Sequence, residues 1–116
     1  SVFILDPYLD DKVFDAYLSA ISSNVNVRLL TKLNTANIKA AKEKFTAQYQ
    51  TAIDIRKSNA FHDRVIFVDE SECWVLGQSI TNAATSMPTY LAPLSADITQ
   101  LKLADYENVW LSATQI

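Results

Sequence analysis

The sequence predicts an α/β fold in which a mixed β-sheet is sandwiched between helices. Three observations carry this expectation. The first half alternates short apolar runs with helical stripes, in the order β-α-β-α-β, the pattern of parallel strands joined by crossover helices. The second half changes texture, with two strand-like runs separated by Asp69-Glu70-Ser71, a hairpin signal that adds antiparallel strands. A final helical stripe closes the chain. At 116 residues, 49% apolar and 20% charged, the chain fits one domain spanning residues 1–116 with a single real core.

Val2-Phe3-Ile4-Leu5 is continuously apolar, as expected of a strand covered on both faces, and Asp6-Pro7 stops it. Asp10 or Asp11 caps a helix whose apolar face is Val13, Phe14, Tyr17, Leu18 and Ile21, ending at Asn24. Val25 to Leu30 reads as a second strand. A second helix starts near Asn34 or Thr35, with Ile38, Ala41, Phe45 and Tyr49 inward and Lys39, Lys42, Glu43 and Lys44 in water. Ala52 to Ile55 is a third strand. Phe61 to Val68 and Glu72 to Leu76 follow as the hairpin, then a short helical or looped stretch over Ile80 to Ser86. Thr89-Tyr90-Leu91 reads as an edge strand between prolines. Ser95 caps the last helix, which carries Ile98, Leu101, Tyr106, Val109 and Trp110. Ser1, followed at once by a buried-strand run, suggests a segment excised from a longer protein.

Composition removes several classes of function. Ten basic against thirteen acidic side chains give a net charge of −3, which argues against a strongly basic, non-specific nucleic-acid binder but not against a local basic cleft. The single glycine, Gly77, leaves no dinucleotide-binding or P-loop motif. One cysteine, Cys73, makes no internal disulfide and fits a packed strand residue in a reducing, cytoplasmic compartment. No apolar run reaches the roughly 18 residues of a membrane span. One histidine without a second histidine or a cysteine partner gives no metal-ligand set, so neither metal nor cofactor is expected.

That histidine, His62, lies in Phe61-His62-Asp63-Arg64-Val65-Ile66-Phe67-Val68-Asp69. Strand alternation puts His62 and Arg64 on one face and Asp63 on the other. An imidazole is a nucleophile or acid–base group, and a guanidinium binds two oxygens at once, so the pair suits a phosphate. Asp69 could orient an imidazole across a neighbouring strand or a dimer interface. Gly77-Gln78-Ser79-Ile80-Thr81-Asn82 follows the next strand and offers Ser79 and Asn82 as phosphate donors. Asp6 and Tyr8, at the carboxyl end of the first strand, are second-tier candidates, because ligands approach open α/β sheets there. A plainer reading has Asp63 and Arg64 ion-paired on the surface and Ser79 and Asn82 capping a helix.

His62-x-Arg64-x4-Asp69, followed by Gly77, Ser79 and Asn82, resembles the signature of the phospholipase D superfamily, His-x-Lys-x4-Asp and then a Gly-Ser-x-x-Asn segment. Asp6-Pro7-Tyr8, the strand at 25–30 and the Tyr106-x-x-Val109-Trp110 helix fit the same order. The resemblance spans nearly the whole chain, as one half of the two-lobed phospholipase D-like fold. Arg64 stands where the family has lysine, and Ser79 comes two residues later than the pattern. The His-Asp-Arg variant is also similar to phospholipase D-like domains of some trafficking proteins that bind phosphoinositide membranes.

The resemblance implies a metal-independent phosphodiesterase. One histidine, His62, would attack phosphorus to form a phosphohistidine, and a second would protonate the leaving group. Only one histidine is present, so the resemblance implies a homodimer that brings two copies of His62, Arg64, Ser79 and Asn82 together, each Asp69 fixing an imidazole's tautomer. The expected substrate is a phosphodiester, a nucleic acid ahead of a lipid. The alternatives are a non-catalytic module of the same fold that binds a phosphate-bearing lipid, nucleic acid or protein, and a structural domain with no working phosphate site.

Overall fold

The computed structural model describes residues 1–32, 36–77 and 90–116. Its strands are β1 (Val2–Leu5), β2 (Val27–Thr31), β3 (Ile53–Lys57), β4 (Val65–Val68), β5 (Glu72–Leu76), β6 (Leu91–Pro93) and β7 (Thr114–Gln115). Its helices are α1 (Lys12–Ala16), α2 (Ala36–Tyr49) and α3 (Ala96–Ser112), with a 3₁₀ turn at Leu18–Ala20. The described strands form one sheet in the order β6-β5-β4-β1-β2-β3-β7. β1, β2 and β3 run parallel. The other neighbours pair antiparallel. This is the predicted mixed sheet, covered by helices on both faces.

β1 lies between β2 and β4, so both of its faces are needed. Alternation sends Ile4 to one side, into a core with Leu29, Ile55, Val13, Phe14 and Leu18 from the α1 region and Ile38 and Phe45 from α2. Phe3 and Leu5 go to the other side, with Leu30, Phe61, Val65, Phe67, Cys73 and, from α3, Leu103 and Trp110. Burial of this kind makes an apolar run read as a strand. Truncating a core aromatic such as Phe3, 3% exposed, costs about 3–5 kcal/mol.

α3 is fastened through two arginines of the sheet. Arg28 of β2 sits 4.0 Å over the Phe3 ring and 5.3 Å from Trp110. Its guanidinium donates two hydrogen bonds to Glu107, at 2.8 and 2.5 Å, the forked geometry that arginine supplies and lysine does not. Arg56 of β3 lies 4.4 Å over the Trp110 ring and donates to the Trp110 carbonyl at 2.8 Å. Ser95 Oγ accepts the Ile98 N–H at 3.4 Å and caps the helix as expected.

Several expectations need correction. The first helix is only Lys12–Ala16 plus the 3₁₀ turn; of the two candidate caps Asp11 makes no side-chain cap, while Asp10 Oδ1 accepts the Lys12 N–H at 2.9 Å. Val25 lies in a turn, donating its N–H to the Ser22 carbonyl, so β2 starts at Val27. β3 is Ile53–Lys57 rather than 52–55. β4 is Val65–Val68, and residues 61–64 precede it in irregular backbone. β6 is Leu91–Pro93 and does not include Tyr90; Thr89 of the expected strand lies outside the described residues. On α3, Ile98 and Leu101 are 47% and 69% exposed, and the buried positions are Thr99, Leu103 and Trp110. β7, which pairs with β3 at the sheet edge, was not expected. The expected start of α2 at Asn34 or Thr35 and the stretch Ile80 to Ser86 lie outside the described residues.

No helix among the described residues is long and apolar enough to cross a membrane. Cys73 is buried, and burial pushes its thiol pKa up, as for an unreactive packed residue.

The Arg28 hydrogen bonds hold the Glu107 carboxyl below the usual glutamate range. Its folded pKa is therefore lower than its unfolded one. The stability it contributes is present above about pH 4.3 and is lost as pH falls through the folded value. The urea midpoint is expected to drop on acidification from about pH 5 to about pH 3, and Glu107→Gln is expected to flatten that drop while lowering the midpoint at neutral pH. An unchanged acid profile in the variant would contradict this role for the pair.

Candidate functional site

The parallel strands β1 and β2 both end at one edge of the sheet, and the chain after β1 is built to hold a turn there. The Asp6 N–H donates to the Leu30 carbonyl at 3.0 Å, continuing the β1–β2 ladder by one residue. The Asp6 side chain is buried, 1% exposed, and its Oδ1 accepts the Tyr8 N–H at 2.9 Å. This is an Asx turn, the local bond that aspartate offers and an apolar residue does not. The Pro7 carbonyl accepts from the Lys32 N–H at 3.3 Å and the Thr31 hydroxyl at 3.4 Å. Tyr8 is thereby fixed at its backbone while its side chain stays 53% exposed.

β4 enters the sheet at this same edge. Leu5 pairs with Val65, so Arg64 sits where β1 ends. The Arg64 carbonyl accepts the Leu76 N–H at 2.9 Å, one residue beyond the β4–β5 ladder. The Arg64 guanidinium carbon lies 5.6 Å from the centre of the Tyr8 ring, within cation–π range. Its Nε is buried and, among the described residues, has no hydrogen-bond partner. Two residues earlier His62 is exposed. Phe61, 3% exposed, is planted in the α3-side core and anchors the segment.

Asp63 turns the other way, toward α3. Its Oδ2 accepts from Lys102 Nζ at 2.8 Å and from the Tyr106 hydroxyl. Those two hydrogen bonds hold its carboxyl below the usual aspartate range, and the His62 charge adds to the effect. Burial, then the bond to Asp63, pushes the Tyr106 hydroxyl pKa up. The Tyr106 ring stands edge-on to Phe67 of β4 at 6.2 Å.

Gly77, at the end of β5, reaches the same edge. Its N–H donates to the Tyr90 carbonyl at 3.1 Å. A Cβ built there would lie 2.5 Å from the Tyr90 ring, so the close approach of that ring fits glycine.

The sheet thus gathers Asp6, Tyr8, His62, Arg64 and Gly77 at one edge. Asp69 is not among them. It follows β4 at the opposite end, about 13 Å of strand away from Val65. There it adopts φ 52° in the hairpin and its N–H donates to the Ser1 carbonyl at 2.8 Å. Within one chain Asp69 does not reach the imidazole. Ser79 and Asn82 lie outside the described residues. Asp63 and Arg64 are not paired with each other, contrary to the plainer expectation, because Asp63 is taken by Lys102. Sequence reasoning missed Lys102 and Tyr106 as neighbours of the site. Their spacing of four, on one helix face, was the available signal.

Chemically, the edge combines an exposed imidazole with a guanidinium stiffened against an aromatic face. An imidazole gives and takes protons near neutral pH, and a guanidinium presents a fork of donors. Together they suit a tetrahedral oxyanion.

The backbone is similar to the crystal structure of a phospholipase D family member, Nuc from Salmonella typhimurium. The TM-score is 0.69 and the sequence identity 18%, over 99% of this chain and 80% of that one. The chain therefore has a phospholipase D-like fold. No family model and no curated protein matches the sequence.

Gly77→Ala is expected to cost about 1 kcal/mol, the low end of overpacking, because the Tyr90 ring is 63% exposed and can swing outward. Adding Tyr90→Ala should remove most of that cost in urea denaturation. An undiminished cost in the double variant would place the strain elsewhere.

Proposed function

We propose that this chain is a phospholipase D-like phosphodiesterase domain that works as a homodimer through a phosphohistidine intermediate. The support is the joint placement of His62 and Arg64 at the sheet edge where β1 ends, in a chain whose backbone follows a phospholipase D family member over 99% of its length.

In the proposed reaction the His62 imidazole attacks phosphorus, forming an N–P bond as the P–O bond to the leaving group breaks. The partner subunit's His62 gives its proton to the departing oxygen. It then takes a proton from a water molecule, which attacks phosphorus and releases the first imidazole. Arg64 stabilises the charge that builds on the equatorial oxygens. Ser79 and Asn82 are proposed as further donors to the same phosphate. With Asp69 at the far end of β4, any orienting contact it makes to an imidazole has to cross a subunit boundary, and the two-step chemistry does not depend on it. A nucleic acid fits as substrate ahead of a lipid. The proposed setting is the cytoplasm.

A second reading rests on Arg64 itself. Lysine would offer a compact charge, whereas a forked guanidinium seated beside Tyr8 holds phosphate firmly and in a different position. That favours a module that binds a phosphate-bearing partner without turnover.

Purified dimer is expected to hydrolyse bis(p-nitrophenyl) phosphate in EDTA, and His62→Ala is expected to abolish this. Arg64→Ala should weaken phosphate binding under either reading. Binding without turnover between about pH 5 and pH 8, the range around an ordinary imidazole pKa, would favour the binding module. Neither binding nor turnover would dismiss both readings.

A further inference from the structure

The segment that carries His62 and Arg64 has little regular structure of its own. Residues 61–64 precede β4, and the ladder reaches only the Arg64 carbonyl. Something outside the sheet has to set the direction of the two side chains. Phe61 anchors the start of the segment in the core and Tyr8 stiffens Arg64; the described polar side-chain contacts are at Asp63, the residue between His62 and Arg64. Its carboxylate is shared by Lys102 and Tyr106, one helical turn apart on α3. The Lys102 ammonium also lies 5.7 Å from the Tyr106 ring, and that ring rests against Phe67 of β4. Among the described residues, the titratable groups near Asp63 are thus Lys102 and Tyr106 from α3, His62 from its own segment and the buried Cys73 of β5.

We propose that Asp63, Lys102 and Tyr106 form a clamp that aims His62 and Arg64 at the phosphate, making Lys102 and Tyr106 positioning residues for the reaction. The inference rests on the phosphate site proposed above and adds two residues from a helix that contributes no group to the chemistry. The mechanism is a fixed point in an irregular segment. Asp63 is drawn to α3 while the Arg64 guanidinium, one residue on, lies by the Tyr8 ring, so holding Asp63 limits how the backbone under its two neighbours can rotate. A charge-assisted hydrogen bond is short and directional, so two of them on one carboxylate oxygen hold the segment against rotation. Release leaves the same catalytic groups present with their geometry loosened, and misplacement by about 1 Å is enough to slow such chemistry by up to about a hundredfold.

The test compares Lys102→Met, Tyr106→Phe and the double variant with the parent, each as the full chain. Tyr106→Phe removes only the hydroxyl and keeps the ring on Phe67. Turnover of bis(p-nitrophenyl) phosphate and binding of inorganic phosphate, followed by phosphorus NMR, are measured beside the urea midpoint. The double variant is expected to lose about tenfold or more in kcat with a smaller change in KM, and in the binding-only case the same factor in phosphate affinity. Lys102→Arg, which keeps the charge and a donor, is expected to restore most of it. A folded double variant within about twofold of the parent in both readouts, in a parent whose activity needs His62, overturns the clamp alone. If the double variant does not fold, Lys102→Met, at a partly exposed position, decides by the same criterion. A parent that neither turns over the diester nor binds phosphate overturns the site and the clamp together.

Discussion

The antiparallel pairing of β4 against β1 is the constraint on which the candidate site depends. β1 runs parallel to β2, and its carboxyl end delivers Asp6, Pro7 and Tyr8 to one edge of the sheet. Because β4 runs the other way, with Val65 opposite Leu5, its amino end arrives at that edge. A parallel β4 would have put His62 and Arg64 at the far edge, beside the amino end of β1. One register, fixed by the burial of Leu5, Val65 and Phe67 on one face, therefore brings an imidazole, a guanidinium and a tyrosine to the same place.

Helix α3 completes the arrangement from the opposite face. Leu103 and Trp110 seat it on the sheet, Arg28 and Arg56 tie down its carboxyl half, and Lys102 and Tyr106 meet Asp63 in its middle. The polar contacts thus continue from β3 to the segment before β4. The helix is held by packing as well as by charge. Arg28 lies over the Phe3 ring and near Trp110 while paired with Glu107, so its loss removes packing together with an ion pair.

The architecture was legible where a run was buried on both faces. Val2 to Leu5 announced β1 because no polar residue interrupts it, and the change from helical spacing to hairpin signals announced the mixed sheet. Legibility failed where tertiary contacts override local pattern. The inward stripe of α3 includes Thr99, fully buried, and this polar residue disguises the register, so Ile98 and Leu101 looked inward. β7 is two polar-looking residues long, too short to show a period. His62-Asp63-Arg64 alternates like a strand, yet Asp63 finds its partner on a helix 39 residues away, which no local spacing reveals. The placing of Arg64 near Tyr8 follows from the antiparallel pairing of β4 with β1; the sequence pattern announced antiparallel strands but not which strand they would join. The distance of Asp69 from His62 and Arg64 follows from the length of β4, and the family-like motif conceals that separation because it lists residues without their ends of the strand.

The most direct measurement is a crystal structure of the chain with tungstate, a tetrahedral oxyanion located by its anomalous scattering. The account predicts one tungstate at the sheet edge, within hydrogen-bond distance of the His62 ring and the Arg64 guanidinium, shared between two copies related by a two-fold axis. Tungstate bound only elsewhere, or a His62 ring turned away from an empty edge in a monomer, would contradict it.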